Sequence, residues 1–467
     1  MTFQWWSIIP FALMLLSIAI FPLMPATRHR WESHGVQLAL ALVLGIPVAA
    51  WMWFGGEHAT VLHSVWEYLQ FVILLGSLFT ISGGIFLAGD LRATPRTNTA
   101  FLAAGSALAS FIGTTGAAML LIRPILNTNR ERLHRRHTVI FAILTIANTG
   151  GLLTPLGDPP LFLGMLRGVP FTWTFSLFPE WLFVNGLLLL TYYGMDRRLY
   201  STEDPESIYF DDRNLEPLRV RGAVNFAWLA LVVVAVAFLP SLDLTAIEEG
   251  HATAVDMVPW RELAMLAAAA LSLTVGSKSV RYERNEFSWG PILEVAALFI
   301  GIFLTMMPAL KFLAQVAPKL HLNEVTLYLF TGGLSAVLDN APTYATFFEM
   351  AKTLPGDPRV ADVPELYLAS ISLGAVLWGA MTYIGNGPNF MVKAVSESRG
   401  VDMPSFGGYV VWTVKYLLPV LLAVLLVFIA DGVAWRLLGW AITLLLVGRA
   451  FWIARRGSQE SRLIEAE

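Results

Sequence analysis

Apolar runs of about 20 residues alternate with short polar connections along the whole chain, and about 20 helical residues are what a roughly 30 Å hydrocarbon layer requires. Eleven such runs stand at 4–24, 36–54, 66–89, 137–166, 175–194, 222–240, 260–276, 290–312, 366–394, 411–430 and 433–452. The pattern predicts an all-α polytopic membrane protein. Two further apolar stretches, 99–126 and 323–352, carry polar and small residues at their centres: "SFIGTTGAAM" in the first and "SAVLDNAPTYATF" in the second.

Loop charges decide what these two stretches do. Lys and Arg in short loops mark the cytoplasmic side. Arg28 and Arg30 follow the first run, Arg92 and Arg96 follow the third, and Arg130, Arg132, Arg135 and Arg136 follow 99–126. Both flanks of 99–126 are therefore cytoplasmic, so it is expected to enter and leave on one side as a re-entrant hairpin. Arg197, Arg198, Arg213, Arg219 and Arg221 place 195–221 inside, and the stretch 241–259 without Lys or Arg lies outside. Lys278, Arg281, Arg284, Arg455 and Arg456 are again inside, which puts the N-terminus outside and the C-terminus in the cytoplasm. By the same alternation 323–352 is a second hairpin entering from the outside, although Lys311, Lys319 and Lys352 run against that placement.

Composition narrows the function. The 467 residues are 56% hydrophobic and 14% charged. No cysteine is present, which excludes disulfides, thiolate metal sites and thiol redox chemistry. There is no basic domain for nucleic acid, and no Walker A glycine loop for ATP drive. Neither H-E-x-x-H nor a plausible G-x-S-x-G nucleophile site occurs, so an enzyme is not expected. The first run has no basic n-region or A-x-A-like cleavage site and reads as a retained helix in a bacterial inner membrane.

An internal repeat organises the chain. "TPLGDPPLF" at 154–162 aligns with "TYIGNGPNF" at 382–390, an offset of 228 (382 − 154). Thr154 meets Thr382, Gly157 meets Gly385, Pro160 meets Pro388 and Phe162 meets Phe390. In the same register Gly151 meets Gly379, Gly105 meets Gly333 and Thr115 meets Thr343. One unit starts inside and the other outside, so the expected architecture is two inverted-topology repeats, a common build of secondary transporters. The boundaries are 1–65 for N-terminal scaffold helices, 66–194 for the first repeat and 195–289 for a cytoplasmic linker, its charged 195–221 stretch expected to be solvated, with connecting helices. The second repeat covers 290–430, and 431–467 holds a last helix and tail. The broken helices are 137–166 and 366–394, because Gly and Pro interrupt both. Non-helical backbone at membrane depth is tolerated only where protein buries it or it lines a cavity. Two breaks and two hairpin tips are thus expected to meet near the midplane.

Asp158 and Asp339 are the most informative residues there. An aspartate at the centre of a spanning helix costs about 2.5–3.5 kcal/mol on insertion scales. Such a carboxylate can hold Na+ or a proton in turn, or it can simply cap a half-helix, which Pro159 directly after Asp158 would suit. Asn148, Thr149, Asn340, Asn386 and Asn389 offer neutral oxygens of the kind hard cations prefer, or the hydrogen bonds that hold membrane helices together. Thr114, Thr115, Thr154, Thr343 and Thr382 are further candidates of the same two kinds. Glu294 could relay protons or be interfacial. Arg123, in the exit arm of the first hairpin, could attract an anion or belong to the positive-inside set.

At these residues the sequence resembles the ion transporter superfamily. "ANTGGLLTPLGDPP" is similar to that group's first broken-helix motif. "LDNAPT" is similar to the D-N-x-P tip of its sodium–proton antiporter and arsenite-pump branches. The nearest likeness is to its citrate transporter and sodium:proton antiporter branch. The resemblance implies a homodimer with scaffold and transport parts. It also implies one ion site at Thr114/Thr115 with Asn148 to Asp158, and another at Asp339 and Asn340 with Thr382 to Asn389. Dicarboxylate–sodium members carry S-N-T at both tips, whereas here the tips read "GTTG" and "LDNAPT". The expected function is Na+/H+ antiport with Asp158 and Asp339 as the ion-binding carboxylates and no resident cofactor. Cation-coupled uptake of citrate or another carboxylate is the alternative, and arsenite efflux a weaker one. The expected partners are membrane lipid and the small transported solutes.

Overall fold

A computed structural model describes residues 3–464 apart from 23, 32 and 214. After a 3-10 turn come α1 (Ile9–Ile20), α2 (Pro25–Trp31), α3 (His34–Phe54) and α4 (His58–Ser82). Strand β1 (Phe86–Asp90) precedes a helical hairpin, α5 (Pro95–Ile112) and α6 (Thr114–Thr128). A broken helix follows, α7 (Arg136–Thr145) and α8 (Pro159–Leu166), and then α9 (Phe178–Tyr200), α10 (Pro205–Arg213) and β2 (Glu216–Arg221). Helices α11 (Val224–Phe238), α12 (Leu244–Glu248), α13 (Trp260–Val275) and α14 (Gly290–Val316) lead to a second hairpin, α15 (Glu324–Ser335) and α16 (Asn340–Lys352). Two short strands, β3 (Arg359–Val360) and β4 (Val363–Pro364), precede a second broken helix, α17 (Glu365–Trp378) and α18 (Gly387–Ser398). The chain closes with α19 (Phe406–Tyr416), α20 (Leu418–Val424) and α21 (Val433–Ile464).

This is an all-α membrane protein. Every one of the eleven apolar runs carries helix. By length and composition five helices, within 34–54, 58–82, 171–200, 290–319 and 433–456, suffice to cross a bilayer unaided. A sixth crossing is available if 406–416 and 418–429, bent by 42°, act together. The count falls below eleven for a physical reason. The runs at 137–166 and 366–394 are each split into two short halves, and those at the start, at 224–238 and at 260–275 are too short alone. The third run also shifts: its helix begins at His58 and stops at Ser82, where Gly83 and Gly84 hand over to β1.

Element order recurs at the spacing found in the sequence. Adding 228 to α8 and α9, which start at 159 and 178, gives 387 and 406, the first residues of α18 and α19. Both hairpins open on a capped first turn, Thr94 accepting from the Thr97 N–H and Asn323 from the Thr326 N–H.

The helices form two groups. Helices α1, α3, α4, α11, α13 and α14 pack on one another, and the hairpins, broken helices, α9 and α19–α21 pack on one another. The groups meet chiefly where α4 touches α6 and α8, and where α14 touches α16.

The 195–221 segment differs from the solvated linker read in the sequence: it is docked. β2 pairs antiparallel with β1, Leu87 opposite Val220 and Asp90 opposite Glu216. Asp196, in the last turns of α9, and Glu203 just beyond it reach the base of the first hairpin. Arg132 bonds Asp196 at 2.7 Å and Glu203 at 3.3 Å, and His137 Nε2 lies 2.8 Å from Asp196. Glu203 also accepts from the Leu133 and His134 N–H groups, and Asp211 accepts from the Ala93 N–H. These buried acids are invisible to a charge count, because each acid looks solvated until the fold supplies its donors.

Asp90 sits in this same corner with one oxygen buried and lacking a hydrogen-bond partner among the described residues. Burial, with Glu131 and Asp211 nearby, lifts its carboxyl to about 6. A folded-state value above the unfolded one means stability falls as pH rises through that range. Asp90→Asn is therefore expected to raise the thermal unfolding temperature at pH 8, with the gain shrinking toward pH 4. An equal shift at both pH values would contradict this.

Candidate functional site

Both breaks are built the same way. Gly151 and Gly157 approach so closely that a Cβ at 157 would lie 2.1 Å from the Gly151 carbonyl oxygen. Gly379 and Gly385, 228 residues on, repeat this, with 2.6 Å from the built 385 Cβ to the Gly379 oxygen. Thr154 and Thr382 then pin each break to its hairpin, donating to the Ser110 and Ala336 carbonyls respectively. Each threonine oxygen also accepts a backbone N–H two residues ahead, Leu156 at 3.2 Å and Ile384 at 3.3 Å. The extended residues that follow are Asp158 (φ −145°, ψ 142°) and Asn386 (φ −152°, ψ 136°), and each starts a half-helix.

Asp158 is the hub. It is 2% exposed, and three neutral groups donate to its carboxylate. Thr114 Oγ1 at the first tip bonds Oδ1 at 3.1 Å, Asn386 Nδ2 in the second break bonds Oδ1 at 3.2 Å, and Asn340 Nδ2 at the second tip bonds Oδ2 at 2.5 Å. One donor from each of the other three interrupted elements thus meets the carboxylate of the fourth. The network continues. Asn386 also donates to Asn148 Oδ1 at 3.2 Å, Asn148 donates to Asn389 Oδ1 at 2.6 Å, and Asn389 donates to the Gly379 and Thr382 carbonyls. Asn340 Oδ1 is buried with no partner among the described residues. A half-turn of that amide would present oxygen to the carboxylate's neighbourhood instead of N–H.

The two aspartates differ in what their carboxylates bond. Asp339 caps: its Oδ1 accepts from the Ala341 N–H at 3.0 Å at the start of α16. Asp158 occupies the N-cap position of α8 but makes no side-chain cap bond. Its carboxylate is spent on the cross-element network. Helices α6, α8, α16 and α18 all begin at the site, and α5, α7, α15 and α17 end beside it. Partial charges of both signs are therefore aimed at it.

Other candidates lie further out. Thr149 bonds Asn185 Oδ1 of α9 at 2.8 Å, and Thr343 donates back to the Asp339 carbonyl at 2.9 Å. Thr115 lines a cavity rather than bonding the carboxylate. Ser110 and Asn185 escaped the sequence reading although they brace the first break. Ser110 Oγ donates to the Gly150 carbonyl and accepts the Leu153 N–H, and Asn185 donates to the Thr149 carbonyl. The equal spacing of the polar residues in the breaks could not reveal them, since both lie on neighbouring helices.

Two cavities open on this crossing. One, of about 100 Å³, is walled by Phe71, Leu75 and Leu78 of α4 and Val295 and Phe299 of α14, and faces Thr115, Asp339, Asn386 and Gly387. The other, of about 400 Å³, reaches Asp339 and Asn386 from Trp31, Gln37 and Glu294. Glu294 accepts a hydrogen bond from Gln37 at 3.0 Å. The ionisable groups lining the two are Asp339, Glu294 and Tyr383, with no Lys, Arg or His among the described lining residues.

With that geometry in view, residues 1–429 match the family described as "Putative citrate transport". The chain belongs to that family. Among similar curated proteins are transporters of Mycobacterium tuberculosis and Mycobacterium bovis, named only as uncharacterized. Each is 27% identical over 335 residues, covering 68% of this chain and 73% of theirs. A "46 kDa membrane protein" of Mycobacterium leprae is 25% identical over 318 residues, covering 65% of this chain and 69% of its own. This member of the citrate-transport family is therefore a membrane transporter and not an enzyme.

The break geometry gives a first test. Gly157→Ala forces a Cβ into backbone, which cannot yield as a side-chain end can. Overpacking of this kind costs about 1–3 kcal/mol or more, so a clear drop in unfolding temperature and a loss of transport are expected. Gly186→Ala in α9, where a Cβ meets nothing within 4 Å, is expected to leave both unchanged. Equal behaviour of the two variants would contradict the account of the break.

Proposed function

We propose that this transporter exchanges Na+ for H+ by alternating access, with Asp158 as the carboxylate that holds one or the other, and Asp339 beside it at the second tip. The observation that carries the reading is the Asp158 cluster: a buried acid whose three hydrogen-bond partners are all neutral. A structural acid in a membrane normally finds a basic partner. Here the missing positive charge is the place for a bound cation or a proton. Thr114 Oγ1, Asn148 Oδ1 and the unpartnered Asn340 Oδ1 supply the neutral oxygens that a hard cation takes. The acidic and otherwise uncharged cavity linings support the same reading.

The recurrence at 228 and the matched glycine contacts of the two breaks support an architecture of eleven crossings, two re-entrant hairpins and two inverted repeats. In that reading 66–194 and 290–430 are the repeats, the N-terminus lies outside and the C-terminus inside, in a bacterial inner membrane, and two copies form a dimer. Hairpin tips and breaks move together with their bound ion against α4 and α14.

A second reading keeps Asp158 for the coupling cation and makes a carboxylate such as citrate the cargo. Two observations favour it: the family description, and the four half-helix N-termini that begin at the site and can face an anion.

Liposomes holding the protein and an internal pH dye separate the two. Na+ alone is expected to alkalinise or acidify the lumen according to its gradient. Asp158→Asn should lower the rate at least tenfold while the protein still elutes as a folded species. A pH response that needs citrate would transfer the assignment to the second reading, and no response to either would overturn both.

A further inference from the structure

Two arginine ion pairs bridge the two helix groups, one beyond each end of the α4 stretch that walls the central cavity. At one end, Arg167, directly after α8, bonds Glu67 of α4 at 3.2 Å and lies 3.6 Å from Glu349 of α16. At the other end, Arg123 of α6 bonds Glu286 at 3.2 Å, four residues before α14. Arg123 and Glu286 line a small cavity of about 60 Å³, which shares Phe79 and Pro291 with the central one.

Positions along α4 set the scale. Glu67 precedes the central-cavity residues Phe71, Leu75 and Leu78, and the Arg123 cavity touches Phe79 and Ser82 beyond them. From Glu67 to Ser82 is 15 residues, about 22 Å at 1.5 Å per residue. Arg123 lies nine residues into α6 from the Thr114 tip and Arg167 eight residues on from Pro159, so each arginine stands about 12–14 Å from the site. Both pairs join a hairpin or broken-helix element to the α4–α14 wall. Neither arginine touches Asp158.

We propose that these two ion pairs are opposed latches: Arg167–Glu67/Glu349 closes the site to one face of the membrane and Arg123–Glu286 closes it to the other. Alternating access then consists of opening one latch while the other holds. All five are positioning residues, acting through the path to the site and not on the transported ion.

The latches are unequal. Arg167 is held by two carboxylates, and the Arg167 and Glu67 side chains are 6% and 22% exposed. Arg123 has a single carboxylate partner among the described residues, and Glu286 is 65% exposed on a residue whose φ of +49° is unfavourable for a side chain. An exposed pair contributes little, whereas breaking a buried one leaves an uncompensated charge. The Arg123 latch is therefore the one that opens first, and the Arg167 latch the one whose release limits the cycle.

This inference rests on the alternating-access reading of the transporter, and the test keeps the two apart. The chain has no cysteine, so Leu75→Cys places one thiol in the central cavity of the full-length protein. A membrane-impermeant maleimide is applied to intact cells and, separately, to inside-out vesicles, and ion flux is measured in liposomes from the same preparations. Glu286→Gln is expected to raise labelling several-fold from one face only, and Glu67→Gln from the opposite face only. The double exchange Arg167→Glu with Glu67→Arg restores a pair and is expected to return labelling toward the parent, which a merely unfolded protein would not do. Flux without any face-selective change in labelling would overturn the latches alone. Absence of flux in the Leu75→Cys parent and in the unsubstituted protein would overturn the transport reading itself.

Discussion

One buried acid without a basic partner organises this molecule. Asp158 lies buried where two helix breaks and two hairpin tips meet, and its hydrogen-bond partners are a threonine and two asparagines. Those donors lie up to 228 residues from Asp158 along the chain. To bring them together, the chain interrupts two helices with Gly–Gly contacts and turns two helical hairpins, at Gly113 and before Asn340. Each of those devices costs backbone hydrogen bonds, and Thr154, Thr382, Ser110 and Asn185 restore them locally. A helix left whole would bury its polar groups better and bring nothing to the carboxylate.

Much of this was legible in the sequence because it rests on residues with few uses. Gly and Pro in the middle of an apolar run have one common explanation, and the breaks fell where "TGGLLTPLGDPP" and "YIGNGP" predicted. The shared register at 228 was legible too, since the same positions carry Thr, Gly, Pro and Phe in both halves. Asp158 and Asn386 occupy equivalent positions in the two breaks, and in the structure they bond each other across them.

What stayed hidden depends on partners distant in the chain. Asp196, Glu203 and Asp211 read as charges of a solvated linker, yet they carry a buried cluster at the base of the first hairpin. Thr149, Thr154 and Thr382 stood out by residue type, but type alone could not show that their hydroxyls donate to Asn185 and to hairpin carbonyls. Span counting also has a physical limit. A helix split into two halves is too short, half by half, to meet the length test, so five or six helices meet it while eleven apolar runs exist.

The central claim is that Asp158 binds a cation and a proton in competition. Calorimetric titration of Na+ into the purified protein, repeated in buffers of different ionisation enthalpy, measures that directly. The account predicts proton release on Na+ binding, weaker apparent affinity as pH falls, and loss of both in Asp158→Asn. Na+ binding with no proton released, or binding that survives Asp158→Asn unchanged, would contradict it.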